Sequence, residues 1–256
     1  HIVEIVSDSG EGAQTAGQLF GTICAKMGNG VWTVELIPAE IEPPARSIAG
    51  VSGNRVRLGT GQITNSGDAA DLVVAFNEQV LLGRVQSGDL KPGCIILLEN
   101  MWRTASDPAI AEAYAKTQAK LVADGFHVYE IPMQQECLKF SSNPHRGKNM
   151  FVVGMLCYVY SRDMKLATDL ISYTFRKKGA EAIESNRKLL EGGYVWAEQN
   201  LDFRFDIPAK ALTEPHIVLN GNMAAALGIV ASGMEVCAMY PITPATSVTH
   251  YLSEIF

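Results

Sequence analysis

The chain has 256 residues, a formal net charge of −6, 19% charged residues and 47% apolar residues. That apolar content supports a sizeable core and excludes a disordered chain, which combines low hydrophobicity with high charge. The acidic balance argues against a nucleic-acid binder with a basic stripe, and at roughly 150 residues per domain the length suits one large domain or two unequal ones.

Residues 1–7 (HIVEIVS) form a short β-rich run, a glycine turn follows at 9–12, and 13–27 has helical composition. Residues 31–37 read as the next strand and 41–53, rich in Pro, Gly and Ser, as a loop. Residues 54–59 alternate Val56 and Leu58 with Arg55 and Arg57, the pattern of a half-exposed strand. Residues 71–76 (DLVVAF) are a buried strand and 77–85 a helix. The turn Lys91-Pro92-Gly93 leads into a buried strand at 94–98. An Ala-rich helix at 109–123 ends at Gly125, and 126–131 is a further strand. Alternating β and α segments imply a parallel sheet with helices on its faces. Residues 149–160, 163–175 and 179–199 then read as three helices, with Gly192-Gly193 interrupting the end of the last.

The polar stretch 201–215 contains two prolines and reads as a linker. Beyond it a helix at 223–231, a strand at 235–239, a sharp turn at 240–244 (YPITP) and a helix from 246 predict a second α/β unit. The start at His1 without an initiator Met, and the end within an amphipathic helix, predict a piece of a longer protein. Five scattered cysteines with no CxxC predict free buried thiols in a reducing cytoplasm, not a disulfide framework or a cysteine-bound metal. No signal peptide is visible at the start. The longest apolar run, 150–160, is far below the roughly 18 residues a membrane span needs.

Three segments are candidates for chemistry. The turn Ser9-Gly10-Glu11-Gly12 lies between a strand and a helix, where glycines let backbone amides approach an anion closely. Its G-x-G-x-x-x-x-G spacing has one residue too many for the dinucleotide fingerprint, and no GxxxxGK[ST] is present. A tight packing turn and a phosphate site both suit it. The loop 46–57 (RSIAGVSGNRVR) offers Arg46, Arg55 and Arg57 among small residues. It suits either a solvated loop whose arginines meet surface acids or an anion site. In Tyr240-Pro241-Ile242-Thr243-Pro244 the two prolines fix φ, so the turn is rigid. Thr243 then stands either as a helix N-cap or as a hydroxyl aimed at a ligand from a strand end.

The segment GNMAAALGIVASGMEVCAMYPITPATSVTHYLSEIF resembles the start of the pyrimidine-binding domain of the 2-oxoacid:ferredoxin oxidoreductases. GEGAQTAG, RSIAGVSGNRVRLG, DLVVAFN and NRKLLEGGYVWA are similar to that family's γ domain. The γ-then-α order is similar to the fused large subunit of 2-oxoglutarate:ferredoxin oxidoreductases. The resemblance covers essentially the whole chain. It implies a γ domain at 1–200 with a mostly parallel sheet flanked by helices, a linker at 201–216, and the truncated start of the pyrimidine-binding α/β domain at 217–256.

The activity so implied is oxidative decarboxylation of a 2-oxoacid, best matched by 2-oxoglutarate. Coenzyme A takes the acyl group to give succinyl-CoA, and electrons pass to ferredoxin. By the same resemblance Thr243 is the catalytic residue, facing thiamine diphosphate and the substrate carboxylate, with Tyr240, Pro241, Ile242 and Pro244 shaping the pocket. Gly10, Gly12, Gln14, Arg46, Ser47, Ser52 and Arg55 are candidates for coenzyme A or another anion. Mg²⁺ and [4Fe-4S] ligands fall to a partner β subunit, within a dimer of αβ heterodimers in the cytoplasm. The activating glutamate would lie beyond residue 256. A non-catalytic module that encloses coenzyme A or assembles the complex, and a pyruvate or branched-chain 2-oxoacid enzyme, are the alternatives.

Overall fold

The structure is a computed structural model, and it describes all residues except 39, 41, 42, 142, 144–146, 243 and 256. It divides into two units, His1–Leu212 and Thr213–Phe256.

In the first unit β1 (Ile2–Ser7), β2 (Gly30–Leu36), β3 (Ser52–Gly59), β4 (Ala70–Ala75), β5 (Leu90–Glu99) and β6 (His127–Ile131) form one sheet in the order β2-β3-β1-β4-β5-β6. The β1–β4, β4–β5 and β5–β6 pairs are parallel, whereas β3 runs antiparallel to both β1 and β2. The sheet is therefore mostly parallel, with an antiparallel side that alternation of segments does not foretell. Helices α1 (Ala13–Lys26), α2 (Glu78–Gln86), α3 (Pro108–Ala123), α4 (Met133–Cys137), α5 (Lys148–Val159), α6 (Met164–Thr174) and α7 (Ala180–Asn200) cover it.

The strand period of two decides which helices lie on which face. Val3, Ile5, Leu72, Val74, Phe76 and Leu97 form one core with α1, α5 and α7. Ile2, Val6, Val73, Ala75, Ile96 and Leu98 form the other with α2 and α3. After β1 the chain goes to the first face, and after β4 it goes to the second. The C-terminal ends of β1 and β4 thus flank a topological switch point, where open α/β sheets hold ligands.

Several expectations are corrected. The strand at 54–59 is not half-exposed: β3 lies inside the sheet, and Arg55 is buried against Glu4. Gly192-Gly193 do not interrupt α7, which continues to Asn200. Gly193 instead lets α5 come close, because a Cβ there would lie 1.9 Å from the Phe151 carbonyl oxygen. Gly154 does the same from α5, with Leu190 O at 2.0 Å from its would-be Cβ. Cys24, Cys94, Cys137 and Cys157 are buried free thiols, but Cys237 is exposed.

The stretch beyond α7 is held as a strap. Leu201 is buried, Tyr129 Oη donates to Asp202 at 2.8 Å, and Phe205 N donates to Val159 O at 2.7 Å. Arg162 donates to Ile207 O at 2.9 Å, Asn29 to Pro208 O at 3.2 Å, and Lys210 N to Gly28 O at 3.4 Å.

The second unit contains α8 (Gly221–Ala231) and α9 (Thr246–Ile255). No strand forms at 235–239 among the described residues, and Val236 is exposed. A strand needs a neighbour to take its N–H and C=O groups, and the described residues of this unit offer none.

Gly193→Ala or Gly154→Ala must push α5 and α7 apart, and each lowers the unfolding free energy by roughly 1–3 kcal/mol or more. Gly61→Ala, which meets nothing within 4 Å, is the control. Equal denaturant midpoints for all three variants would show that this helix contact is not tight.

Candidate functional site

The switch-point crevice is built from strand ends. β1 ends at Ser7, and Asp8 follows. β4 leads to Phe76, Asn77 and Glu78, β5 ends at Glu99, and Trp102 stands on the next turn. Asn77 caps α2, accepting from the Gln79 and Val80 amides at 3.0 Å each. Its Nδ2 donates to Asp8 Oδ2 at 3.1 Å, which ties the ends of β1 and β4 together.

Arg46 crosses this crevice. Its amide donates to both Asp8 carboxylate oxygens, at 2.9 and 3.0 Å. Its guanidinium forms a bidentate pair with the fully buried Glu78, with Nη1 at 3.1 Å from Oε2 and Nη2 against Oε1. Its face lies over Trp102, with Cζ 4.1 Å from the ring centroid, and Trp102 Nε1 donates to Phe76 O at 3.1 Å. The backbone of Arg46 has φ 54°, a left-handed conformation uncommon for a residue with a side chain.

The glycine turn borders the same crevice. Gly10 and Gly12 have φ of 85° and 92°. Gly10 has open space beside it, but a Cβ on Gly12 would lie 2.8 Å from Asn149 Nδ2, on the first turn of α5. Both α1 and α5 start from a positive-φ glycine, Gly12 and Gly147, with no side-chain cap. Two helix N-termini therefore meet at the turn, and in α5 the Met150 amide donates to Asn149 Oδ1 at 2.9 Å. Lys148 bridges them, with Nζ 2.7 Å from Glu11 Oε1, while the Asp8 amide donates to Glu11 Oε2 at 3.2 Å.

The structure brings Gly10, Gly12 and Arg46 to one crevice, and the side chains of the other anion candidates are engaged by other groups of the chain. Gln14 donates to Ser52 Oγ at 3.2 Å and to Leu36 O at 3.3 Å, and Ser47 Oγ donates to Pro44 O at 2.6 Å. Arg55 points to the α2 face, where it joins Glu4, Arg84 and Asp89 and donates to the Gly67 and Asp68 carbonyls. Asp8, Glu78, Glu99, Trp102 and Lys148 were not among the sequence candidates. Their signal is positional: Asp8, Glu78 and Glu99 each come at or just after the end of an apolar strand.

Burial pushes the Glu99 carboxyl up to about 7, against the opposing pull of Lys148 and of the amides of Met101 and Gln134, which it accepts at 3.1 and 2.9 Å. Burial also raises Asp8. The thiols of Cys24, Cys94 and Cys137 are pushed up to about 12 by burial, so they are not thiolates at neutral pH. Among the described residues, no group of three His, Cys, Asp or Glu side chains is placed to hold a metal.

In the second unit Thr243 lies outside the described residues. The turn around it is tied down: Asn222 Nδ2 donates to Pro244 O at 3.0 Å and to Ser247 Oγ at 2.6 Å, and the Thr246 amide donates to Ile242 O at 2.9 Å. Tyr240 and Ile242 are 71% and 53% exposed, so the turn presents an open apolar face.

Residues 3–196 match the family described as pyruvate ferredoxin/flavodoxin oxidoreductase. The chain is 28% identical to the 2-oxoglutarate oxidoreductase subunit KorA of Mycobacterium tuberculosis, over 99% of this chain and 41% of that one. It is similar to the solved 2-oxoglutarate:ferredoxin oxidoreductase from Magnetococcus marinus, which has 2-oxoglutarate, coenzyme A and succinyl-CoA bound. That match has a TM-score of 0.75 and 26% identity, and covers 99% of this chain and 41% of that one. The γ subunit of a keto/oxoacid ferredoxin oxidoreductase from Geobacter sulfurreducens shares the fold, with a TM-score of 0.55 and 16% identity over 78% of this chain and 99% of that one. The chain thus spans 41% of the length of the first two relatives.

Glu99 makes stability depend on pH. It stays protonated in the folded state up to about 7, whereas the unfolded carboxyl ionises near its ordinary 4.5. Its contribution is therefore complete below pH 4.5 and is lost as pH rises through 7, on the order of 3 kcal/mol. Denaturant unfolding from pH 5 to 8 should show the wild type losing stability relative to Glu99→Gln. A pH-independent difference between the two would refute this.

Proposed function

The chain belongs to the pyruvate ferredoxin/flavodoxin oxidoreductase family, and we propose that it is part of the large subunit of a 2-oxoglutarate:ferredoxin oxidoreductase. Such an enzyme oxidatively decarboxylates 2-oxoglutarate, joins the acyl group to coenzyme A as succinyl-CoA, and passes two electrons to ferredoxin. The observation that carries this reading is that two 2-oxoglutarate enzymes match 99% of the chain, across the first unit and the YPITP unit in one order. In this reading residues 1–200 are the γ domain, 201–216 the connection, and 217–256 the start of the pyrimidine-binding domain. The protein works in the cytoplasm with a β subunit that carries the Mg²⁺ and [4Fe-4S] ligands, as a dimer of αβ heterodimers.

Within this enzyme the two units have different work. Thiamine diphosphate, when bound, supplies the carbanion chemistry. Thr243 donates a hydrogen bond to the substrate carboxylate from a turn whose backbone is held by Asn222 and two prolines. The exposed faces of Tyr240 and Ile242 suit the wall of a pocket that other parts of the enzyme close. The first unit binds coenzyme A. The convergence of Arg46 with the glycine turn and the N-terminus of α1, which has no side-chain cap, supports a phosphate of that ligand at the switch-point crevice.

The assembled enzyme should reduce ferredoxin faster with 2-oxoglutarate than with pyruvate, and Thr243→Ala should lower kcat/KM for the 2-oxoacid by up to ~10²-fold, the worth of one preorganised donor. A preference for pyruvate would sink the substrate assignment, and an unchanged kcat/KM would sink the role of Thr243. Arg46→Ala should raise KM for coenzyme A more than KM for the 2-oxoacid. Equal effects on both would point to misfolding.

A further inference from the structure

We propose that Glu78 and Trp102 are positioning residues that hold Arg46 in one orientation toward coenzyme A; the inference rests on the reading that the crevice takes that ligand. An arginine carries five N–H donors in a planar fork. Glu78 takes one from Nη1 and one from Nη2, and Trp102 supports the face of the plane. Both supports are fixed in turn. Glu78 is fully buried on the first turn of α2, and Trp102 is tied to Phe76 O. The Arg46 backbone is held by Asp8, and Ile48 of the same loop lies against α2 at Gly83, whose would-be Cβ meets Ile48 Cγ2 at 3.0 Å.

A free arginine loses rotamer freedom when it grips a phosphate. This one has lost it already, at the expense of a left-handed backbone at Arg46. The other three donors are given no partner by the described residues, and the side chain keeps 12% of its surface exposed. The charge of the guanidinium is offset by Glu78, so its value to a phosphate is directional hydrogen bonding rather than long-range attraction.

This leads to a result that simple electrostatics would not give. Removing the Glu78 carboxylate makes the crevice less negative, which by charge alone should improve binding of an anion. If Glu78 acts by positioning, the same change weakens binding. In the assembled oxidoreductase, Glu78→Gln should raise KM for coenzyme A roughly 10-fold, with a smaller change in KM for the 2-oxoacid. The double variant with Arg46→Ala should be no worse than Arg46→Ala alone, because the two residues act as one unit. If Glu78→Gln fails to assemble, Trp102 provides the same test: Trp102→Leu should raise KM for coenzyme A, and Trp102→Phe, which keeps an aromatic face, should restore most of it. A fall in KM in Glu78→Gln means that the carboxylate competes with the ligand, and overturns the positioning role. Additive effects of Glu78→Gln and Arg46→Ala overturn it as well while leaving the coenzyme A reading intact. No effect of Arg46→Ala on KM for coenzyme A overturns that reading and this inference with it.

Discussion

Four carboxylates and two cations share one edge of the sheet, and burial makes each depend on the others. Asp8, Glu11, Glu78 and Glu99 face Arg46 and Lys148 at the ends of β1, β4 and β5 and at the starts of α1, α2 and α5. A buried charge without a partner is costly, so the loop that carries Arg46 has to lie where Glu78 is. Lys148, likewise, draws the start of α5 to the glycine turn. The position of five chain segments therefore follows from satisfying these groups. The sheet supplies the place, because its chain path leaves β1 and β4 toward opposite faces.

Much of this fold was legible in the residues. Short apolar runs bounded by turn residues, such as DLVVAF and CIILL, suit strands covered on both faces, and both runs lie in such strands, β4 and the second half of β5. The antiparallel placement of β3 was not legible, because alternation of Val and Leu with arginines describes a half-exposed strand equally well. Only tertiary structure shows that Arg55 meets Glu4, fifty-one positions away. Gly192-Gly193 misled for a related reason. Glycine weakens a helix locally, but the close approach of α5 outweighs that propensity.

The site was half visible. Gly10, Gly12 and Arg46 could be proposed from turn chemistry and donor geometry, and the structure brings them to one crevice. Gln14, Ser52 and Arg55 have the same composition but are used internally by the chain. The buried acids are not distinguished by sequence, because a lone Asp or Glu at a strand end has the same pattern as solubilising polarity. Asn222 is a similar case, since its links to the Pro244 carbonyl and to Ser247 Oγ join α8 to the turn before α9 and to α9 itself through contacts that no local pattern encodes.

The strap beyond α7 bears on how the chain would carry load. Its attachments through Phe205, Ile207, Pro208 and Lys210 follow one another along the chain, each with a single hydrogen bond. Gly28 admits the Lys210 carbonyl only because it has no side chain; a Cβ there would lie 1.9 Å from that oxygen. A pull applied after Leu212 would meet these bonds in series, not in parallel. The strap would then peel from its far end, with Lys210 releasing first and Phe205, whose ring packs on His1 and Tyr160, releasing last.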